Sequence, residues 1–227
     1  MGAKSDKLKF VGHLILAALW VSIGATLASA QNPAPNTETL KKANTRPPAG
    51  VTAARSEPFD GATVEKMTQC VTLDTEGGAI VIAMLPASAP ETVRSFLNLA
   101  AAGALDTTQF SRVVKGFVIQ GGNLSTSEKW SAELAERMSR HLPDEPSGVK
   151  HVRGIVSMAR GEEPNGATTH FFILVGDGSN LDGKFSAFGR VITGIEVADA
   201  INRAPSENEK PVVPVRITHA AVAQCPK

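Results

Sequence analysis

The chain has 227 residues, 42% of them apolar, a formal net charge of +1, 5% aromatic residues and no tyrosine. That apolar content is enough to build a core, and a charged fraction of 20% is too low for a solvated disordered chain. Near-neutral charge argues against a dedicated nucleic-acid binder, and two cysteines exclude a disulfide-dense scaffold or a multi-cysteine zinc module.

Residues 1–30 read as a signal peptide. Lys4, Lys7 and Lys9 make a basic start, an apolar run follows from Phe10 to Leu27 broken by His13, and Ala28-Ser29-Ala30 supplies a small-x-small site. This predicts cleavage after Ala30 and an exported protein, periplasmic or secreted. The alternative is an uncleaved anchor, because the run approaches the ~20 apolar residues that span a bilayer; membrane contact is expected only in that case. Removing the segment takes the net charge from +1 to −1, so no basic partner surface follows from the total.

Residues 31–66 carry Pro33, Pro35, Pro47, Pro48 and Pro58 and almost no periodic apolar pattern. Such a stretch buries too little surface to offset its ordering entropy and reads as a flexible linker. The competing reading is an arm packed on the domain, with Phe59 as its anchor.

Residues 67–227 read as one domain. Thr68–Asp74 and Ala79–Leu85 are strands joined by the turn Glu76-Gly77-Gly78. Ser88-Ala89-Pro90-Glu91 reads as a helix start with Ser88 as cap. Val93, Phe96, Leu97 and Ala100 at helical spacing form one buried face, and Gly103 ends the helix. Short strands follow at Phe110–Val114, Phe117–Gln120, Ile155–Met158, Phe171–Val175 and Ala187–Val191, then a helix over Gly194–Arg203 and a last strand over Val212–Ala223. Lys129–Arg140, with Trp130, Leu134 and Met138 at helical spacing, is either a helix or part of a surface excursion. Many short strands, glycine turns and two helices predict a mainly β protein, an antiparallel barrel with covered ends.

Three blocks carry a family resemblance. Phe110-Ser111-Arg112-Val113-Val114-Lys115-Gly116-Phe117-Val118-Ile119-Gln120-Gly121-Gly122 resembles the signature of the cyclophilin peptidyl-prolyl cis-trans isomerases. Gly154–Arg160 with Phe171-Phe172-Ile173, and Leu181-Asp182-Gly183-Lys184 with Phe188-Gly189, agree with the same family in the same order. Together with the export signal, they resemble its bacterial exported, periplasmic type. The resemblance implies a closed eight-stranded antiparallel β-barrel capped by two α-helices, and an enzyme that rotates X–Pro bonds in exported, proline-containing polypeptides. It also implies a monomer that needs neither cofactor nor metal.

That chemistry needs no nucleophile. An amide resists rotation by about 18–20 kcal/mol because of resonance. As the bond twists, the prolyl nitrogen loses conjugation and becomes a better acceptor, so a fixed donor beside it favours the twisted state. The resemblance assigns that donor to Arg112, with Gln120 positioned beside it and Phe117 in the same catalytic set. It gives the proline pocket to Phe117, Val118, Phe172 and Leu181, the wall for the preceding residue to Ala159, and a peptide-binding backbone to Arg160. His170 stands where the family usually has glutamine; it either rims the peptide groove as a substrate-binding residue or is merely structural. Ser111, Asn180 and Phe185 also depart from common family residues. A non-catalytic proline-peptide-binding or chaperone module on the same barrel therefore stays open. In the family the first and last strands are close, which implies a Cys70–Cys225 disulfide in an oxidising compartment; two free thiols are the competing reading.

Overall fold

The computed structural model describes residues 56–226. The expected signal segment, and residues 31–55 of the expected linker, lie outside these residues. Among the described residues no helix is long and apolar enough to cross a membrane.

Residues 56–66 are docked rather than free. Phe59 packs half-buried against the core, and its backbone N–H donates to Asn98 Oδ1 at 2.9 Å. Asn98 in turn donates to Asp60 Oδ1 at 3.2 Å, and Glu57 pairs with Arg137. The linker reading fails over this stretch because one aromatic ring and a set of satisfied polar groups outweigh the polar composition around them.

The described residues fold into ten strands and three α-helices. The strands are β1 (Cys70–Thr75), β2 (Gly78–Met84), β3 (Arg112–Val114), β4 (Val118–Gly121), β5 (Ile155–Met158), β6 (Phe171–Leu174), β7 (Ala187–Thr193), β8 (Ser206–Glu207), β9 (Lys210–Pro211) and β10 (Ile217–Ala223). The helices are α1 (Pro90–Ala101), α2 (Ala132–Ser139) and α3 (Ile195–Arg203). Eight strands make one antiparallel sheet in the order β10-β1-β2-β7-β5-β6-β4-β3, and β8–β9 is a separate hairpin.

The sheet is open and strongly curled, not a barrel closed by a continuous ladder. Its edges approach through one isolated bridge, Gln109 to Arg216, and a few backbone bonds such as Phe110 N–H to Val215 O at 3.0 Å. Thr107 takes a left-handed φ of 61°, and Pro211 and Pro214 have no N–H to give, so pairing cannot extend further. Pro214 falls within the expected last strand, which begins only at Ile217, and Val212 and Val213 are exposed.

Helix α1 starts at Pro90, as expected, but Ser88 does not cap it. Its hydroxyl pairs with Ser147 at 2.6 Å. The helix start is satisfied by a distant carboxylate instead: Glu145 accepts from the N–H groups of Glu91 at 2.9 Å and Thr92 at 2.8 Å, where the helix dipole favours negative charge. Helix α2 is a true helix capped by Ser131, which accepts from Leu134 N–H. Leu134 is its buried anchor, while Trp130 lies outside the helix and exposed. Before α3, Gly194 has φ +86°, and a Cβ there would sit 2.0 Å from the Ala79 carbonyl oxygen; only glycine fits.

The concave side of the sheet holds the main core. Phe96 from α1 packs its ring 5.2 Å from Phe171 and 4.9 Å from Phe188. Strand alternation turns each neighbour of these residues the other way. Val113, Ile119 and Phe171 face the main core, and Val118, Phe172 and Leu174 face a second, smaller cluster. That outer cluster is the floor of the site.

The Cys70–Cys225 disulfide is present, closing a sequence separation of 155 residues with a Cα–Cα distance of 4.9 Å. Cys70 opens β1 opposite Ala223 of β10, so the bridge ties the first strand of the sheet to the end of the last.

Candidate active site

The site is built around the β3–β4 hairpin. The register places Arg112 directly opposite Gln120, so the two outward side chains meet, and Arg112 Nη1 donates to Gln120 Oε1 at 3.1 Å. Arg112 Nε donates to Glu209 Oε2 at 2.8 Å. The guanidinium is thereby fixed at two of its donors, and Nη2 has no protein partner among the described residues. The Gly121-Gly122 pair after Gln120 has a steric cause at its second position. Gly122 has φ +81°, and a Cβ would lie 2.2 Å from the Thr169 carbonyl oxygen.

Behind the hairpin, Asn202 of α3 is 4% exposed and has its hydrogen-bonding needs met there. It accepts from Gly116 N–H at 2.8 Å and donates to the Val114 and Val118 carbonyls at 2.8 and 3.0 Å. A buried amide with its partners in place specifies one arrangement, and here it sets the hairpin that carries Arg112, Phe117, Val118 and Gln120.

Beside Arg112 lies a cleft of about 150 Å³ lined by Phe117, Val118, Gln120, Ala159, Arg160, Phe172, Leu181 and Phe185. Its apolar wall is ordered by edge-on aromatic packing, with the Phe172 and Phe185 rings 6.1 Å apart. A second, more polar hollow of about 310 Å³ adjoins it, lined by Gln120, Ala159, Arg160, Gly161, Gly166, Thr168 and His170. The predicted residues therefore divide. Arg112, Phe117, Val118, Phe172 and Leu181 line the apolar cleft, His170 lines the polar hollow, and Gln120, Ala159 and Arg160 belong to both.

Arg160 contributes more than its backbone. Its guanidinium lies 5.1 Å from the Phe185 ring centroid, with Nε 3.0 Å from Asp144 Oδ1 and Nη2 donating to the Lys184 carbonyl at 3.2 Å. It clamps Phe185, and through it Phe172, at the boundary of the two pockets.

Leu181 is held from below. Asp182 Oδ1 accepts from His151 N–H at 2.8 Å, and Oδ2 pairs with Lys150 Nζ at 3.0 Å. The His151 backbone bond first, and then Lys150, hold the Asp182 carboxyl down at about 2. The His151 ring lies 3.2 Å from Asp182 Oδ1 and 3.2 Å from Ser157 Oγ. This aspartate–histidine–serine row is no nucleophilic centre. Ser157 is fully buried, and its hydroxyl donates to the Ser186 carbonyl at 2.8 Å. It is a strut beneath the loop that carries Leu181 and Phe185.

Burial pushes the His170 pKa down, because desolvation disfavours the imidazolium. The unfolded chain then takes up this proton at higher pH than the folded one. This contribution is intact above the ordinary histidine value of about 6.5 and erodes as pH falls through that value toward the lower folded pKa. The expected result is a smaller loss of stability between pH 7 and pH 5 in His170→Gln than in the wild type. Denaturant titrations at the two pH values check it, and equal losses would contradict it.

Sequence reasoning missed Glu209, Asn202 and Asp144. None lies in a recognised block, and each acts through a partner far away in the chain. Phe185 was visible as a departure but not as a pocket residue; its spacing of four from Leu181 was the available signal.

Comparison with known proteins gives a consistent result. Residues 70–222 match the family model described as cyclophilin-type peptidyl-prolyl cis-trans isomerase/CLD. The chain is 34% identical over 168 residues to peptidyl-prolyl cis-trans isomerase A of Dickeya dadantii, covering 72% of this chain and 86% of that protein. It is 37% identical over 139 residues to peptidyl-prolyl cis-trans isomerase B of Escherichia coli, covering 58% and 82%. Among solved structures, it resembles a cyclophilin-type peptidyl-prolyl cis-trans isomerase of Cryptosporidium parvum crystallised in the presence of the dipeptide Ala-Pro. That match has TM-score 0.61 and 29% identity and covers 69% of this chain and all of the other.

Proposed function

The chain belongs to the cyclophilin-type peptidyl-prolyl cis-trans isomerases, and from that premise we propose that it turns X–Pro bonds in exported polypeptides, with Arg112 stabilising the twisted amide. One observation carries the reading: a doubly anchored guanidinium stands at the edge of an apolar cleft large enough to seat a small ring.

In this reading Phe117, Val118, Phe172 and Leu181 hold the prolyl ring. The uncatalysed bond takes tens to hundreds of seconds to turn. With the ring held, rotation moves the acyl side, and the prolyl nitrogen gains lone-pair character as conjugation breaks. The Nη2 donors of Arg112, a residue that lines the cleft, would bind the twisted nitrogen better than the planar one. Gln120 fixes Nη1 and so the orientation of the fork. Ala159, the Arg160 backbone and His170 would take the residues before proline. The Ala-Pro dipeptide in the Cryptosporidium parvum crystals supports proline-containing peptides as the substrate class. The test is a prolyl-peptide isomerisation assay on the wild type and Arg112→Ala. Wild-type turnover at the uncatalysed rate would leave only the peptide-binding alternative.

Export is supported by the tripartite pattern of residues 1–30 and by a disulfide, which persists in oxidising compartments. The expected N-terminus of the protein purified from its host is Gln31. A mass that includes residues 1–30 would contradict cleavage.

A further inference from the structure

The Arg112 side chain has a charged partner that lies outside every family-like block. Glu209 sits at the tip of the β8–β9 hairpin, whose two-residue loop is Asn208-Glu209. Both residues have positive φ, 48° and 64°. Such a loop requires the left-handed region at both central positions and favours Asn-Gly or Asp-Gly, because glycine takes that conformation without a steric penalty. Asparagine is the ordinary occupant of the first position. Glutamate at the second is not, and its left-handed backbone is a strained choice.

Strain held in place at a candidate site points to a use for the side chain. The surroundings supply one. The Glu209 backbone carbonyl accepts from Val113 N–H at 2.7 Å, immediately after Arg112. Its carboxylate accepts from Arg112 Nε at 2.8 Å. Main chain and side chain of one residue thus grip β3 at consecutive positions. Gln120 holds the opposite end of the guanidinium through Nη1. The guanidinium is held at Nε and Nη1, and Nη2 is left without a protein partner among the described residues, on a side chain that lines the cleft.

We propose that Glu209 is a positioning residue for the isomerase: it orients the Arg112 guanidinium, and the hairpin tolerates a strained backbone to place it there. This rests on the catalytic reading of Arg112. Arginine side chains sample many rotamers, and a half-exposed ion pair is weak in water. Its value here lies in removing that freedom before substrate arrives.

Glu209→Gly separates positioning from structure, because glycine relieves the loop strain while deleting the carboxylate. The expected result is a melting temperature equal to or above that of the wild type, with kcat/KM lowered about fivefold, as a weak ion pair allows, and KM little changed. Glu209→Gln keeps an acceptor oxygen and recovers at least half of the lost rate. In nitrogen-15 NMR the Arg112 Nε–H resonance is resolved and protected from solvent exchange in the wild type, and it loses that protection in Glu209→Gly. Wild-type activity in Glu209→Gly, a rate loss that only follows a loss of stability, or an unaltered Nε–H signal would each overturn the proposal. If the wild type itself shows no turnover, the isomerase reading fails separately, and the Nε–H signal alone decides whether Glu209 holds the guanidinium.

Discussion

Arg112→Ala lowers kcat/KM for a proline peptide by about 100-fold or more, the range found when one preorganised donor is taken from a developing charge. The loss falls mainly on kcat. The guanidinium is not part of the apolar cleft floor, which is formed by Val118, Phe172 and their neighbours in the outer cluster, so the ring is still held when Arg112 is gone. Fold stability changes little. The side chain is 45% exposed, and its ion pair with Glu209 is of the solvent-accessible kind, worth at most about 1 kcal/mol. Progress curves on a prolyl peptide and a thermal melt, run on the same preparations, check both statements. A tenfold rise in KM with unchanged kcat would show that Arg112 only helps to bind substrate.

The second large effect falls on stability. Removing the Cys70–Cys225 bridge frees a closed loop spanning a sequence separation of 155 residues. In the chain-entropy account a loop of that length contributes up to about 5 kcal/mol, through the unfolded state. Cys70 is 2% exposed and starts the strand that pairs with both β2 and β10, so fraying there loosens two strand pairings at that edge of the sheet. The expected result is a shift of several kcal/mol between oxidised and reduced protein in denaturant titrations, reproduced by the Cys70→Ala/Cys225→Ala double variant. Activity at low temperature survives, because neither sulfur touches the cleft. Identical unfolding midpoints with and without reductant, or two reactive thiols in unreduced denatured protein, would contradict the prediction.

Much of this architecture is legible in the amino-acid order because local rules and the fold agree. Gly77-Gly78 marks the β1–β2 turn, Pro90 starts α1, and the alternation of Phe171 and Phe172 separates a core ring from a cleft ring. The scarce phenylalanines illustrate the limit. Of the six in or beside the motif blocks, Phe110, Phe171 and Phe188 are fully buried in the main core, and only Phe117, Phe172 and Phe185 line the cleft. Composition concentrates the rings, but strand phase decides which side of the sheet each one serves.

What escapes the sequence is long-range and polar. Glu145 caps α1 from 54 residues away, and Glu209 reaches Arg112 across 97. No periodicity encodes such pairs, since each depends on where loops return after the sheet has formed. Prolines and one left-handed threonine interrupt the pairing that a barrel closed by a full ladder would need, and these features are local signals whose consequence appears only in three dimensions. The docking of residues 56–66 has the same origin, because Phe59 finds its partner groups on α1.

The central claim is that Arg112 acts on the twisted bond and not on the resting peptide. Lineshape or exchange NMR on a proline peptide titrated with enzyme measures binding and on-enzyme cis–trans exchange in one experiment. The account predicts that Arg112→Ala keeps Kd within about threefold of wild type while on-enzyme exchange slows about 100-fold or more, the effect of losing a donor that works only in the transition state. A Kd that weakens in proportion, with exchange on the bound peptide as fast as in the wild type, would contradict it.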